Sequence, residues 1–171
     1  MPSTPLQFNH PEYDDEKIYQ SIDGILQKNV LFSVATVTEE NNVAKAWVNT
    51  AYYAYSPAFE FYFVTPPTAQ HSKNLEINPS AALSIFDSQQ GFEGKQGLQV
   101  FGSGEKAEGD DLDNAYHHYA ARFEWLRERI SDPTHFEESG MESRLYVVKP
   151  HTIKIFDEVT FGPETWVEVE I

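Results

Sequence analysis

Two short stretches hold the residue types needed to bind a flat, anionic organic molecule. One is Thr65-Pro-Pro-Thr-Ala-Gln-His-Ser-Lys73. If a helix starts inside it, the first amides have no acceptor within the helix and carry a partial positive charge. The hydroxyls of Thr68 and Ser72, with His71 and Lys73, would then complete a phosphate-type anion site that needs no glycine loop. The same residues also describe an ordinary capped helix with a solvated face, and spacing alone leaves both readings open. The other stretch is residues 44–55, where strand alternation sets Lys45, Trp47, Asn49 and Tyr53 on one face. Ala44, Ala46, Val48, Thr50, Tyr52 and Ala54 fall on the opposite face. A cation, an amide and two rings suit either a polar-edged flat ligand or a subunit interface. The second face, small and apolar, is expected to line a narrow barrel interior.

Other chemistries are excluded or weak. The chain has no cysteine, which removes disulfides, thiol nucleophiles, iron–sulfur clusters and Cys-ligated zinc, and leaves the redox compartment open. There is no G-x-S-x-G elbow, no G-x-x-x-x-G-K-[ST] loop, no G-x-G-x-x-G after a strand and no H-E-x-x-H. His117 and Glu124 lie two helical turns apart with no third ligand, so no metal site is expected. Gly91, Gly94 and Gly97 read as a flexible loop. With 12 Lys and Arg against 27 Asp and Glu, the net charge of −15 repels phosphate backbones and anionic lipid, so neither nucleic acid nor membrane is an expected partner. Residues 25–104 are nearly neutral, and their cations are Lys28, Lys45, Lys73 and Lys95. No basic, apolar leader opens the sequence and no apolar run reaches a spanning length, so a cytoplasmic location is expected.

These residues need a scaffold, and about a quarter of the 171 positions are Leu, Ile, Val or Phe, enough for one core. One domain over 1–171 is expected. Ile18, Ile22, Ile25 and Leu26 place an amphipathic helix over 12–28. Strands follow over 30–38, 43–55 and 59–65, the first two joined at Glu39-Glu40-Asn41-Asn42, and Pro66-Pro67 ends the third. Thr68 is expected to cap a short helix that runs to Ile77 and stops before Asn78-Pro79. Strands over 81–87 and 98–107 come next, with Gly102 and Gly104 marking a bulge or corner. A helix over 110–130, an acidic loop and closing strands over 144–149, 152–157 and 165–169 complete the barrel. Three strands within residues 30–65 leave no room for crossover helices. The fold class is therefore mainly β (α+β), an antiparallel β-barrel flanked by helices.

The run FYFVTPPTAQHSKNLEINPSAALSIFD, followed by QGLQVFGSGEKAE and a helix, resembles the pyridoxamine 5′-phosphate oxidase-like family of FMN-binding split β-barrels. The matching order is a strand ending in Thr65, a helix ending in Leu75-x-x-Asn78-Pro79, a strand, and a strand reading roughly Val-x-Gly-x-Ala. Trp47 to Tyr53 and His71 also resemble the YhbP-like branch. The resemblance, over about residues 20–157, implies a homodimer holding FMN at its interface and an oxidoreductase acting on an unknown small molecule. In it Lys45, Trp47, Asn49 and Thr50 would border the ring and Val64 and Thr65 would offer backbone contacts. Thr68, His71, Ser72 and Lys73 would reach the phosphate, and Gln99 would meet the flavin. A module of the same fold that holds flavin, haem or deazaflavin without turnover is the alternative, and a dimeric barrel without cofactor is a third reading. Where the family carries Arg or Lys on the phosphate helix, this chain has Gln70 and His71, which leaves Lys73 as the one permanent cation. A charged His71 would make affinity fall as pH rises past about 6.5. The Arg-Leu-x-Pro ending of the vitamin oxidases is replaced by GPETWVEVEI, which points away from that substrate and gives Trp166 a different pocket to cover.

Overall fold

A computed structural model describes residues 6–136 and 142–171. Part of the acidic loop expected after residue 130 lies outside the described residues. The chain begins with α1 (Asp15–Lys28), three residues later than the apolar spacing places its start, because the Asp14 carboxylate accepts the Lys17 amide at 2.7 Å and caps the helix there. Ile18, Ile22, Ile25 and Leu26 are its buried stripe as expected.

Strands β1 (Leu31–Glu40) and β2 (Val43–Tyr55) form the hairpin. Its two-residue turn puts Asn41 and Asn42 at φ 54° and 61°, the left-handed pair that matches strand twist and that Asn tolerates best after Gly. Next come β3 (Phe61–Thr65), α2 (Gln70–Ile77), β4 (Ser80–Phe86) and β5 (Gln96–Lys106). After them run α3 (Asp110–Arg122), α4 (Glu124–Arg129), β6 (Arg144–Asp157), α5 (Glu158–Phe161) and β7 (Trp166–Glu170). The sheet order is β3-β2-β1-β4-β5-β6-β7, every pairing is antiparallel, and a β3–β6 pairing closes the first six strands into a ring. This is the antiparallel barrel with flanking helices that the strand spacing predicts, in the split form that the family resemblance implies.

The two ends of the ring are closed by helices. At one end Tyr53 donates to the Leu26 carbonyl and Ser21 to Asp157, tying α1 to β2 and β6. At the other end α2 packs on β1, β5 and β2, with Leu75 against Gly104 and Asn74 bonded to Thr36. Between them sit Phe32, Val34, Tyr53, Phe61, Phe63, Val100, Val148 and Ile153, all fully buried. A second apolar cluster lies outside the ring, where α3 covers Ala54, Tyr62, Leu145 and Val147.

Three expectations are corrected. The helix over 110–130 is two helices, broken at Phe123 (φ −121°, ψ 91°), whose ring packs on Tyr119 and Tyr52. The strands over 144–149 and 152–157 are one strand. Pro150 is tolerated within β6 because it stands opposite Gly102, where the register shifts and the ladder is already broken. Finally, the two faces of β2 are reversed relative to the alternation argument. Tyr53 points into the core, whereas Val48 is 70% exposed and Tyr52 55% exposed on the outside. Cross-strand pairing decides this: Ala51 stands beside buried Phe32, and Tyr53 beside buried Phe63.

Candidate functional site

The Thr65–Lys73 segment forms a tight approach to a helix. The Ala69 amide donates to the Pro66 carbonyl at 3.1 Å, so the chain turns through Pro67 and Thr68 and helix α2 begins only after Ala69. Thr68 is therefore not the cap. The capping position holds Ala69, which has no side-chain acceptor, and the first intrahelical bond runs from the Lys73 amide to the Ala69 carbonyl. The amides of Gln70, His71 and Ser72 precede that bond, and no acidic residue lies in the first turn. An alanine in this position leaves the helix about 1 kcal/mol short of a capped one. An anion would supply what the side chain lacks.

The other residues of this segment divide by burial. Lys73 and Thr68 are exposed at the helix start. His71 is only 8% exposed, and its Nε2 shares a 2.7 Å hydrogen bond with the Thr65 hydroxyl. Ser72 is fully buried and donates to the Pro66 carbonyl at 2.9 Å. Burial holds the His71 imidazole below the usual histidine range, so it is neutral at pH 7. Val64 and Thr65 pair with Leu145 and Arg144 on β6, and the Thr65 backbone ends its strand beside the helix.

Trp47 and Asn49 belong to the same end of the molecule. Asn74 of α2 donates to Thr36 at 3.0 Å, and Thr36 pairs with Trp47 across the hairpin. Lys45 lies farther out, paired with Glu40 near the hairpin tip. Thr50 and Gln99 sit elsewhere. Successive strand pairings align Thr50, Ser33, Ser84, Gln99 and Lys154 in one row on the outer face of the sheet. The sequence-derived residues thus form two groups, one around α2 and one on the outer sheet face.

Gln99 lines a groove of about 230 Å³ whose other walls include Phe86, Phe156 and Trp166. Gly97 forms its floor. A Cβ there would meet the Ile85 carbonyl at 3.2 Å and Phe86 Cβ at 3.3 Å. The loop reading of Gly97 missed this role, and Phe86 and Phe156 were not singled out. Their signal was present, since each lies on the strand face opposite the core residues Ile85 and Ile155. Trp166 does belong to a pocket, the same one as Gln99. His117 and Glu124 are on different helices, and among the described residues no three potential metal ligands cluster.

The family model for pyridoxamine 5′-phosphate oxidase matches residues 18–155. The chain belongs to the pyridoxamine 5′-phosphate oxidase family. Solved structures similar to it agree on the fold. A haem binding protein from Mycobacterium smegmatis superposes with a TM-score of 0.68 at 17% identity, over 89% of this chain and 57% of that one. A Clostridium acetobutylicum protein related to general stress protein 26 gives 0.59 at 13%, over 91% and 96%. The haem storage protein HutZ of Vibrio cholerae gives 0.54 at 16%, over 85% and 91%. No curated protein matches the sequence. In this member of the pyridoxamine 5′-phosphate oxidase family, the uncapped helix and the exposed sheet face lie on separate parts of the molecule. Among the described residues no helix is long and apolar enough to cross a membrane.

Proposed function

We propose that the protein is an FMN-binding oxidoreductase that works as a homodimer on a small-molecule substrate. The observation that carries this reading is the start of α2, where an alanine in place of a cap, the exposed Gln70 whose amide has no helical acceptor, and the exposed Lys73 stand together in a family of flavin-type barrels. That donor set fits a phosphate monoester. One flexible cation and backbone amides hold it less firmly than a paired-arginine site would, which makes binding salt-sensitive. Trp47 and Asn49, beside α2, would border the ring, while Val64 and Thr65 end the strand that leads to it. Gln99 lies on another face, so it meets the same ring only from a second protomer. The exposed apolar residues Leu31, Val48, Tyr52, Phe86 and Trp166 share that outer sheet face, which suits a partner copy.

When bound, FMN would supply hydride and electron transfer, and the chain's task is to bind, orient and shield it. Haem is the second reading: the Gln99 groove is lined by no histidine, cysteine or methionine able to ligate iron, and His71 on the α2 side is buried with its Nε2 bonded to the Thr65 hydroxyl. The test is a set of fluorescence and absorbance titrations with FMN, riboflavin and haemin. Saturable FMN binding, at least tenfold tighter than riboflavin and weakening with salt, is expected. Equal affinity for FMN and riboflavin would remove the phosphate assignment, and tight haemin binding without FMN binding would reverse the choice of cofactor.

A further inference from the structure

Within that reading, the residue on α2 whose role changes most is His71. It sits beside the open amides, as a phosphate-binding cation would, yet its side chain runs inward and ends on the Thr65 hydroxyl at 2.7 Å. It packs 6.3 Å from the Phe63 ring, centroid to centroid, in the barrel core. We infer that His71 is a positioning residue: a strut that fastens the first turn of α2 to the end of β3, so that the exposed Gln70 and Lys73 at the helix start are presented to an anion that the His71 side chain never touches.

Three observations support this. The Thr65–His71 bond joins two buried side chains, so it excludes water and fixes both partners. The neighbouring Ser72 makes a second tie to the same approach, at Pro66, so the first turn is held at two points while Gln70 and Lys73 of that turn stay exposed. The charged groups gathered at this barrel end are Lys73 and Glu76 on α2, Lys106 on β5 paired to Glu108, and Arg144 on β6, with Lys45 on β2 paired to Glu40 of β1. None of them offsets the burial of the imidazole, which sits low in pKa through desolvation alone. A charged His71 would be a buried cation without a carboxylate.

The experiment compares H71Q, H71A and T65V with the wild type. A glutamine amide can bond the Thr65 hydroxyl but can never become a cation. The expected result is that H71Q keeps FMN affinity to within about twofold, while H71A and T65V each lose about fivefold or more, and the two losses do not add in the double variant. Wild-type and H71Q affinities should follow one pH profile from pH 6 to 8, since the phosphate's own ionisation is common to both. The apo protein gives a separate readout that does not depend on the cofactor reading. Nitrogen NMR of His71 should show a ring that is neutral at pH 7 and takes up its proton only below the usual histidine range, and amide exchange at Gln70–Lys73 should quicken in H71A and T65V but not in H71Q. If none of the proteins binds FMN, the cofactor reading fails while these apo results still decide the strut. Protonation of His71 above pH 6.5, or equal loss in H71Q and H71A, would overturn the inference.

Discussion

Gly102 shows how a single missing atom sets a barrel corner. A Cβ at this position would stand 2.2 Å from the Lys149 carbonyl oxygen and 2.8 Å from Pro150 Cα, both backbone atoms that cannot swing away. Its φ is not positive, so the requirement is space and not the left-handed backbone that favours glycine. Gly102→Ala should therefore destabilise by about 2 kcal/mol or more, as overpacking against a rigid wall does, and urea unfolding of the purified variant would check it. Lys73 makes the opposite kind of prediction. It is exposed and no packing depends on it, so Lys73→Ala should leave stability within about 0.5 kcal/mol and weaken FMN binding about tenfold. Lys95 looks from the sequence like an unrelated loop cation to compare with it. In the fold it lines the Gln99 groove and pairs with Glu158 at 3.2 Å. Lys17 on α1, over the Tyr13 ring, is the better control.

Among the elements, those whose ends are set by local chemistry were legible and those set by distant contacts were not. The bounds of β2, the end of β3 at Thr65 and the bulge at Gly102 follow from turn residues, prolines and glycines inside the segments themselves. The break at Phe123 does not, because the helical spacing continues through it. What stops the helix is tertiary. Arg122 reaches across to the carbonyls of Leu26 and Asn29 at 2.8 and 2.5 Å, and Phe123 turns onto Tyr52. The inside and outside of β2 were illegible for a related reason: both faces carry aromatics, and alternation fixes which residues share a face but not which face meets the core. In the site, a short helix carrying Lys73 after Pro66-Pro67 could be read in sequence, whereas its uncapped start at Ala69 in place of Thr68, the inward turn of His71 and the groove around Gln99 depend on tertiary packing and pairing registers.

The joint between α1, β6 and α5 yields a pH prediction. Asp157 is 1% exposed and accepts from Ser21 at 2.7 Å, Gln96 at 2.8 Å and the Thr160 amide at 3.1 Å. Burial alone would raise its pKa, but these hydrogen bonds outweigh burial and hold the carboxyl below the usual aspartate range. A lowered folded-state pKa contributes stability that is complete above the unfolded value of about 3.9 and is lost as pH falls through the folded value. Asp157→Asn should thus cost about 1–3 kcal/mol at pH 7, and the gap from wild type should narrow steadily below about pH 4. Urea unfolding of both proteins at pH 7 and pH 3 measures it, and a gap that does not change with pH would contradict the assignment.

For the whole molecule, the question is what covers the outer face of β1, β2, β4, β5 and β7. Helices α1 and α2 close the ends of the ring and α3 covers β2, β3 and β6 only near Ala54, Tyr62 and Leu145, so Val48, Phe86 and Trp166 remain exposed and Tyr52 is met only along one edge by Phe123. A partner copy would cover them and bring its Gln99 toward the α2 site. Val48→Glu should then yield a folded protein with an unchanged circular dichroism spectrum that elutes as a monomer and binds FMN at least tenfold more weakly. The most direct single measurement is native mass spectrometry of protein produced with ample flavin. The account predicts a species of twice the 19.5 kDa chain mass plus two FMN. A bare monomer, or a dimer carrying haem or no cofactor at all, would contradict it.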